Sequence, residues 1–182
     1  MKVAFPKHLG RTGGGLKRSS AGPVRLGTGL ASVAILAVLG LQPVAAQSMK
    51  VEISGLSDVN FGQVTDFQSD LRQAQSVCVA ANSNGLRYSV QASGSGAGGA
   101  FALSNGVYDL PYSVEWSAGP GQSSGIALSA SSPLTAQTTS ERGPRCKDGP
   151  TASLVVVLRA SETSRAQQGN YSGSLTLLIS PE

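Results

Sequence analysis

The chain has 182 residues, 40% apolar and only 13% charged, with 23 glycines and 5% aromatics, enough for one ordinary domain and too short for two large ones. Its net charge of +4 would suggest a nucleic-acid or anionic-membrane partner, yet six of the 14 basic residues (Lys2, Lys7, Arg11, Lys17, Arg18, Arg25) lie at the N-terminus with no acid among them. Beyond residue 46, 8 bases face 10 acids, and a weakly acidic, charge-poor remainder is a poor binder of phosphate backbones.

Residues 1–46 read as a secretory leader. After the basic stretch comes the uncharged run LASVAILAVLGL at 30–41, then Pro43, Val44, Ala45 and Ala46. A charged region, a short apolar core and small residues at the cut are the three parts of a signal peptide. The run is too short for a spanning helix of about 20 residues. Cleavage after Ala46 is expected to leave Gln47 first, and residues 47–182 as the exported domain. Two cysteines, Cys78 and Cys146, remain there. An even pair in an exported chain reads most simply as a disulfide, whether within one chain or between two.

Along the exported part the apolar pattern has period two. Weak helical periodicity over 66–75 supports no helix. Asn84-Gly85 signals a turn before a strand in which Leu86, Tyr88, Val90 and Ala92 alternate with polar residues. Gly94–Gly99 reads as a loose loop. Phe101–Leu103 and the alternating Leu110, Tyr112, Val114 and Trp116 flank Asn105-Gly106, whose tolerance of positive φ predicts a two-residue hairpin turn. The Ser/Thr/Gly/Pro-rich stretch 117–150 reads as flexible and is expected to contain the longest irregular loop. The valine-rich run Leu154–Leu158 is continuous, as in a strand covered on both faces. A break at Gln168-Gly169-Asn170 precedes a last strand with Tyr171, Leu175, Leu177 and Ile179 on one side. Short strands at this spacing predict an all-β sandwich of two antiparallel sheets.

The residues argue against an enzyme. The single histidine, His8, lies in the leader, so the exported chain lacks an imidazole for a Ser-His or Cys-His nucleophile. No histidine and two cysteines cannot supply four zinc ligands, and the glycine run lacks the Gly-Lys-Ser/Thr ending of a phosphate loop. No cofactor is expected. Asp58, Asp66, Asp70, Asp109 and Glu115 show no spacing that singles out a catalytic pair and read as solvated acids. Trp116 and Tyr112 fall on the apolar side of their strand and read as core, which disfavours a sugar-binding platform.

Several segments in this order resemble a known family. They are Val59-Asn60-Phe61-Gly62-Gln63-Val64, the Cys78-led strand at 86–92, Leu110-Pro111-Tyr112-Ser113-Val114, and Gly169-Asn170-Tyr171-Ser172-Gly173 with alternating Leu175, Leu177 and Ile179. Together, over about residues 51–182, they resemble the spore coat protein U domain, which includes pilins of the archaic chaperone–usher pathway. The resemblance implies an immunoglobulin-like antiparallel β-sandwich lacking its last strand. It also implies an exported subunit that passes through the periplasm to a pilus on the cell surface and serves adhesion or biofilm formation. Its partners would be a periplasmic chaperone, an outer-membrane usher and other pilus subunits, with no nucleic acid. The missing strand would be supplied by strand addition to a groove bordered by Tyr171, Leu175, Leu177 and Ile179, with Leu154, Val156 and Leu158 as its floor. Met49, Val51 and Ile53 alternate ahead of the first-strand motif and form a candidate donor segment, cut short by Gly55. The alternative is a self-sufficient sandwich of the same family that does not polymerise, with residues 49–53 folded onto its own open edge.

Overall fold

The computed structural model describes residues 1–4, 49–143 and 145–182; the leader's apolar core and its expected cleavage site lie outside them. In chain order the strands are β1 (Lys2–Ala4), β2 (Val51–Ser54), β3 (Val59–Asn60), β4 (Leu71–Ala81), β5 (Arg87–Gly94), β6 (Ala102–Ser104) and β7 (Asp109–Pro111). There follow β8 (Ser113–Ser117), β9 (Ile126–Ala127), β10 (Pro133–Thr138), β11 (Glu141–Arg142), β12 (Ala152–Leu158), a helical turn α1 (Ala160–Thr163) and β13 (Ser172–Pro181). They build an all-β sandwich of largely antiparallel sheets. One sheet runs β10-β5-β13-β1-β3, with the β6–β7 hairpin joined to β13 by Ser104 opposite Ser172. The other runs β11-β4-β12-β8-β9, with β2 alongside β4. Among the described strands only β1 on β13 and β11 on β4 pair in parallel.

The period-two pattern turns into burial as the pleat requires. Tyr88, Val90 and Ala92 from β5 and Leu175 from β13 meet Val77 and Val79 from β4, Val114 and Trp116 from β8, and Leu154, Val156 and Leu158 from β12 in one core. At its centre the Trp116 indole donates from Nε1 to the Tyr88 Oη over 3.2 Å, with the rings edge-to-face at 6.4 Å. Both polar tips are therefore satisfied inside an apolar interior. All seven residues of β12 are buried, in keeping with its continuous apolar run. β4 and β8 flank it, and the 119–122 segment crosses its outer face. There Ser153 Oγ donates to Gly119 O (2.8 Å) and accepts from Gln122 N (3.0 Å).

No helix forms over 66–75, as expected; the segment leads into β4, the longest of the described strands, because seven consecutive positions, Leu71–Val77, pair with β12. Sheet pairing outweighs the helix propensity of Leu71, Arg72, Gln73, Ala74 and Gln75. The stretch 117–150 is not one irregular loop but contains β9, β10 and β11. Gly125 makes this route feasible, since a Cβ there would collide with the Trp116 carbonyl. The hairpin between β6 and β7 turns over four residues, 105–108, rather than two. Asn105 Oδ1 accepts from the amides of Val107 (3.0 Å) and Tyr108 (2.8 Å), and Gly106 takes the positive φ of 93°. An asparagine side chain that closes its own turn moves the tip one residue along the chain. The 94–99 glycine run, expected as a loose loop, forms a tight corner instead. It is closed by Gly96 N to Ala100 O and Gly99 N to Gly96 O, both 3.0 Å.

Candidate functional site

The final strand has two unlike edges. On one side Leu175–Pro181 pairs residue by residue with Gly94–Tyr88 of β5. On the other, β1 pairs with Ser172, Gly173 and Ser174 alone. Among the described residues no strand pairs with that edge from Leu175 to Pro181. β1 lies between β13 and β3, with Lys2 opposite Asn60 and Val3 opposite Val59. Two further backbone bonds hold it, Phe61 N to Met1 O (3.0 Å) and the Met1 amino group to Gly62 O (3.1 Å). β3 and β13 are thus separated by one strand's width, and a three-residue strand from the expected leader occupies one end of that slot. β13 also passes close to β2, whose only partner among the described strands is β4.

Side chains along β13 alternate across the slot. Leu175 is fully buried, while Leu177 and Ile179 are half-buried against the core. Leu178 points outward and is 56% exposed. Tyr171 is buried just before β13, its hydroxyl donating to Gln167 O over 3.0 Å. Leu154, Val156 and Leu158 lie in β12, opposite Gln75, Gln73 and Leu71 of β4, and are fully buried. All seven expected groove residues therefore belong to or pack against one cluster, but only Leu177 and Ile179 keep a partly uncovered apolar surface. The sequence reading did not place Val51, Leu56 or Phe61 in this lining, although they too are half-buried against the core. The alternation of Val51 with Ile53 was the available signal for the first of these.

None of Met49, Val51 and Ile53 pairs with β13, although β2 passes close to it. Met49 is 54% exposed. Val51 and Ile53 belong to β2, opposite Ala81 and Val79 of β4, and Ile53 is only 3% exposed. Lys50 O accepts from Asn82 N at 2.7 Å and extends this pairing.

Cys78 and Cys146 form a disulfide within the chain, Cα atoms 6.0 Å apart. It ties β4 to the segment between β11 and β12, where Glu141 also accepts from the amides of Lys147 (3.3 Å) and Asp148 (3.0 Å).

Glu115 is not a solvated acid: it is buried on the outer face of β8, where its Oε2 accepts from Arg72 Nη1 (3.0 Å) and Gly125 N (3.1 Å). Arg159 reaches its other oxygen at 3.8 Å and pairs with Asp70 at 2.9 Å. Asp70 is held below the usual carboxylate range, chiefly by the Ala160 amide and then by Arg159. Asp66 is lowered mainly by the Gln68 amide. Trp116 is fully buried, which removes it as a sugar platform. Burial pushes the Tyr112 phenol up to about 12, and its buried hydroxyl has no hydrogen-bond partner among the described residues. No group of three metal-ligating side chains occurs among the described residues. Comparison of the chain with known protein families, curated proteins and solved structures finds no match in any of the three.

Proposed function

We propose that the chain is an exported, non-enzymatic structural subunit of the chaperone–usher pilus type, completed by a β-strand that another polypeptide inserts beside β13. The observation that supports this reading is the one-strand gap between β3 and β13, which among the described residues is entered only by Lys2–Ala4. Those residues belong to the part read as a leader, so cleavage after Ala46 would empty the gap. An uncovered edge of this kind is an association site. An added strand there gains main-chain hydrogen bonds along Leu175–Pro181 and covers Leu177 and Ile179 with alternate side chains. A periplasmic chaperone would hold the slot first, an outer-membrane usher would pass the subunit on, and a neighbouring pilus subunit would fill the slot in the fibre. Adhesion or biofilm formation would follow from the assembled pilus.

A self-sufficient sandwich of the same family is the second reading. It is favoured by the same β1, since this strand comes from the chain's own N-terminus. Its earlier form, with residues 49–53 on the open edge, does not match the pairing of β2 with β4.

Periplasmic expression without a pilus chaperone separates the two readings. Strand completion predicts poor recovery and aggregation of the processed chain, relieved by a peptide of about a dozen residues alternating valine with threonine. A soluble, cooperatively unfolding monomer that ignores the peptide would remove the pilus reading.

A further inference from the structure

On the pilus reading just given, a subunit has two tasks, to receive a strand and to give one, and this chain is equipped for the first alone. We infer that the slot beside β13 is filled by a polypeptide other than a second copy of this chain, because the processed chain has no free strand to donate.

The segment that would have to be donated is already committed. Val51–Ser54 pairs at all four positions with Ala81–Cys78 of β4, and Ile53 is buried in the core. The attachment continues on both sides. Lys50 O takes the Asn82 amide before β2. After it, Gly55, at a φ of 84°, brings the chain against the backbone of Ser76 and Val77. Ser57 then gives both its amide (2.8 Å) and its hydroxyl (3.0 Å) to Gln75 Oε1. Withdrawing Lys50–Ser57 for use by another molecule would break each of these bonds and expose Ile53.

What precedes this segment after cleavage is Gln47, Ser48 and Met49. Three extended residues reach about 10 Å, whereas the unpaired edge from Leu175 to Pro181 runs about 20 Å, at roughly 3.3 Å per residue. The short piece also offers a single large apolar side chain, Met49, against the two half-buried positions, Leu177 and Ile179, that an inserted strand would have to cover. Neither length nor pattern suits it to a neighbour's slot. The chain would therefore end a fibre or cap a different subunit, and would not repeat along a shaft.

The test places a photo-reactive amino acid at Thr176 in the full chain, expressed with its leader and recovered after export, so that whatever lies along β13 is captured and identified by mass spectrometry. A second form carries about a dozen alternating valine and threonine residues inserted after Ser48. The expected result is capture of the free alternating peptide by the native chain, no capture of a second native copy, and capture of the inserted segment between copies of the extended form. Capture of residues 47–54 from a second native copy would overturn the inference and leave the strand slot standing. Failure of both the free peptide and the inserted segment would sink the slot itself. If the peptide is captured but the extended form is not, a missing donor is not what prevents self-assembly, and the inference falls.

Discussion

Leu177 offers the sharpest test of the slot because its neighbour supplies the control. In the chain with an open edge Leu177 is half-buried, so truncation to Ala removes partly hydrated methyl groups and costs about 1 kcal/mol. Once a strand lies over the slot the same side chain becomes sealed core, where Leu→Ala costs about 3 kcal/mol. The difference, about 2 kcal/mol, appears as weaker strand binding, roughly 30-fold in Kd. Leu178, next along β13 and 56% exposed on the opposite face, gains no cover from the added strand, so Leu178→Ala should leave Kd within about 2-fold. Fluorescence anisotropy of a labelled valine–threonine peptide against the processed chain reads both values, and thermal unfolding without peptide checks that each variant is folded. Equal weakening by the two substitutions, or none by Leu177→Ala, would show that the peptide does not bind over the inner face of β13.

Two further predictions concern the sandwich itself. Tyr88→Phe should destabilise by about 1–2 kcal/mol, since it strands the buried Trp116 Nε1–H, whereas Tyr112→Phe removes a buried hydroxyl without a partner and should be neutral or stabilising in a urea titration. The Tyr112 phenol also makes stability fall at high pH. The unfolded chain loses that proton near 10 while the folded chain keeps it to about 12, so its contribution is complete below 10 and is lost across that window. Tyr112→Phe should flatten this part of the pH profile, and an unchanged profile would count against the buried phenol. Removing the Cys78–Cys146 bridge, which closes a loop of 68 positions, should cost roughly 4 kcal/mol by loss of the constraint on the unfolded chain. In thermal unfolding of a Cys78→Ser, Cys146→Ser variant that is a drop on the order of 15 °C; a change of only a degree or two would contradict it.

The residues alone determined which side of most strands faces inward. Tyr88, Val90, Trp116, Leu154 and Leu175 announce themselves by alternation or by an unbroken apolar run, because a pleated strand half-covered by a second sheet must repeat every two positions. The disulfide was legible for a similar reason, as two cysteines with no other chemistry to serve. Tertiary structure decided what each strand lies beside. β4 carries polar, helix-favouring residues over its first half and becomes a strand only through its partner β12. Glu115 looks like a surface acid until Arg72, Arg159 and Gly125 converge on it from distant positions. Val51 and Ile53 have the alternation of a free donor, yet alternation specifies a face and not a neighbour, and it was pairing with β4 that used them. The edge of β13 left unpaired among the described residues belongs to this second class, since an unmatched edge arises from the order of strands in a sheet and not from the period of any one strand.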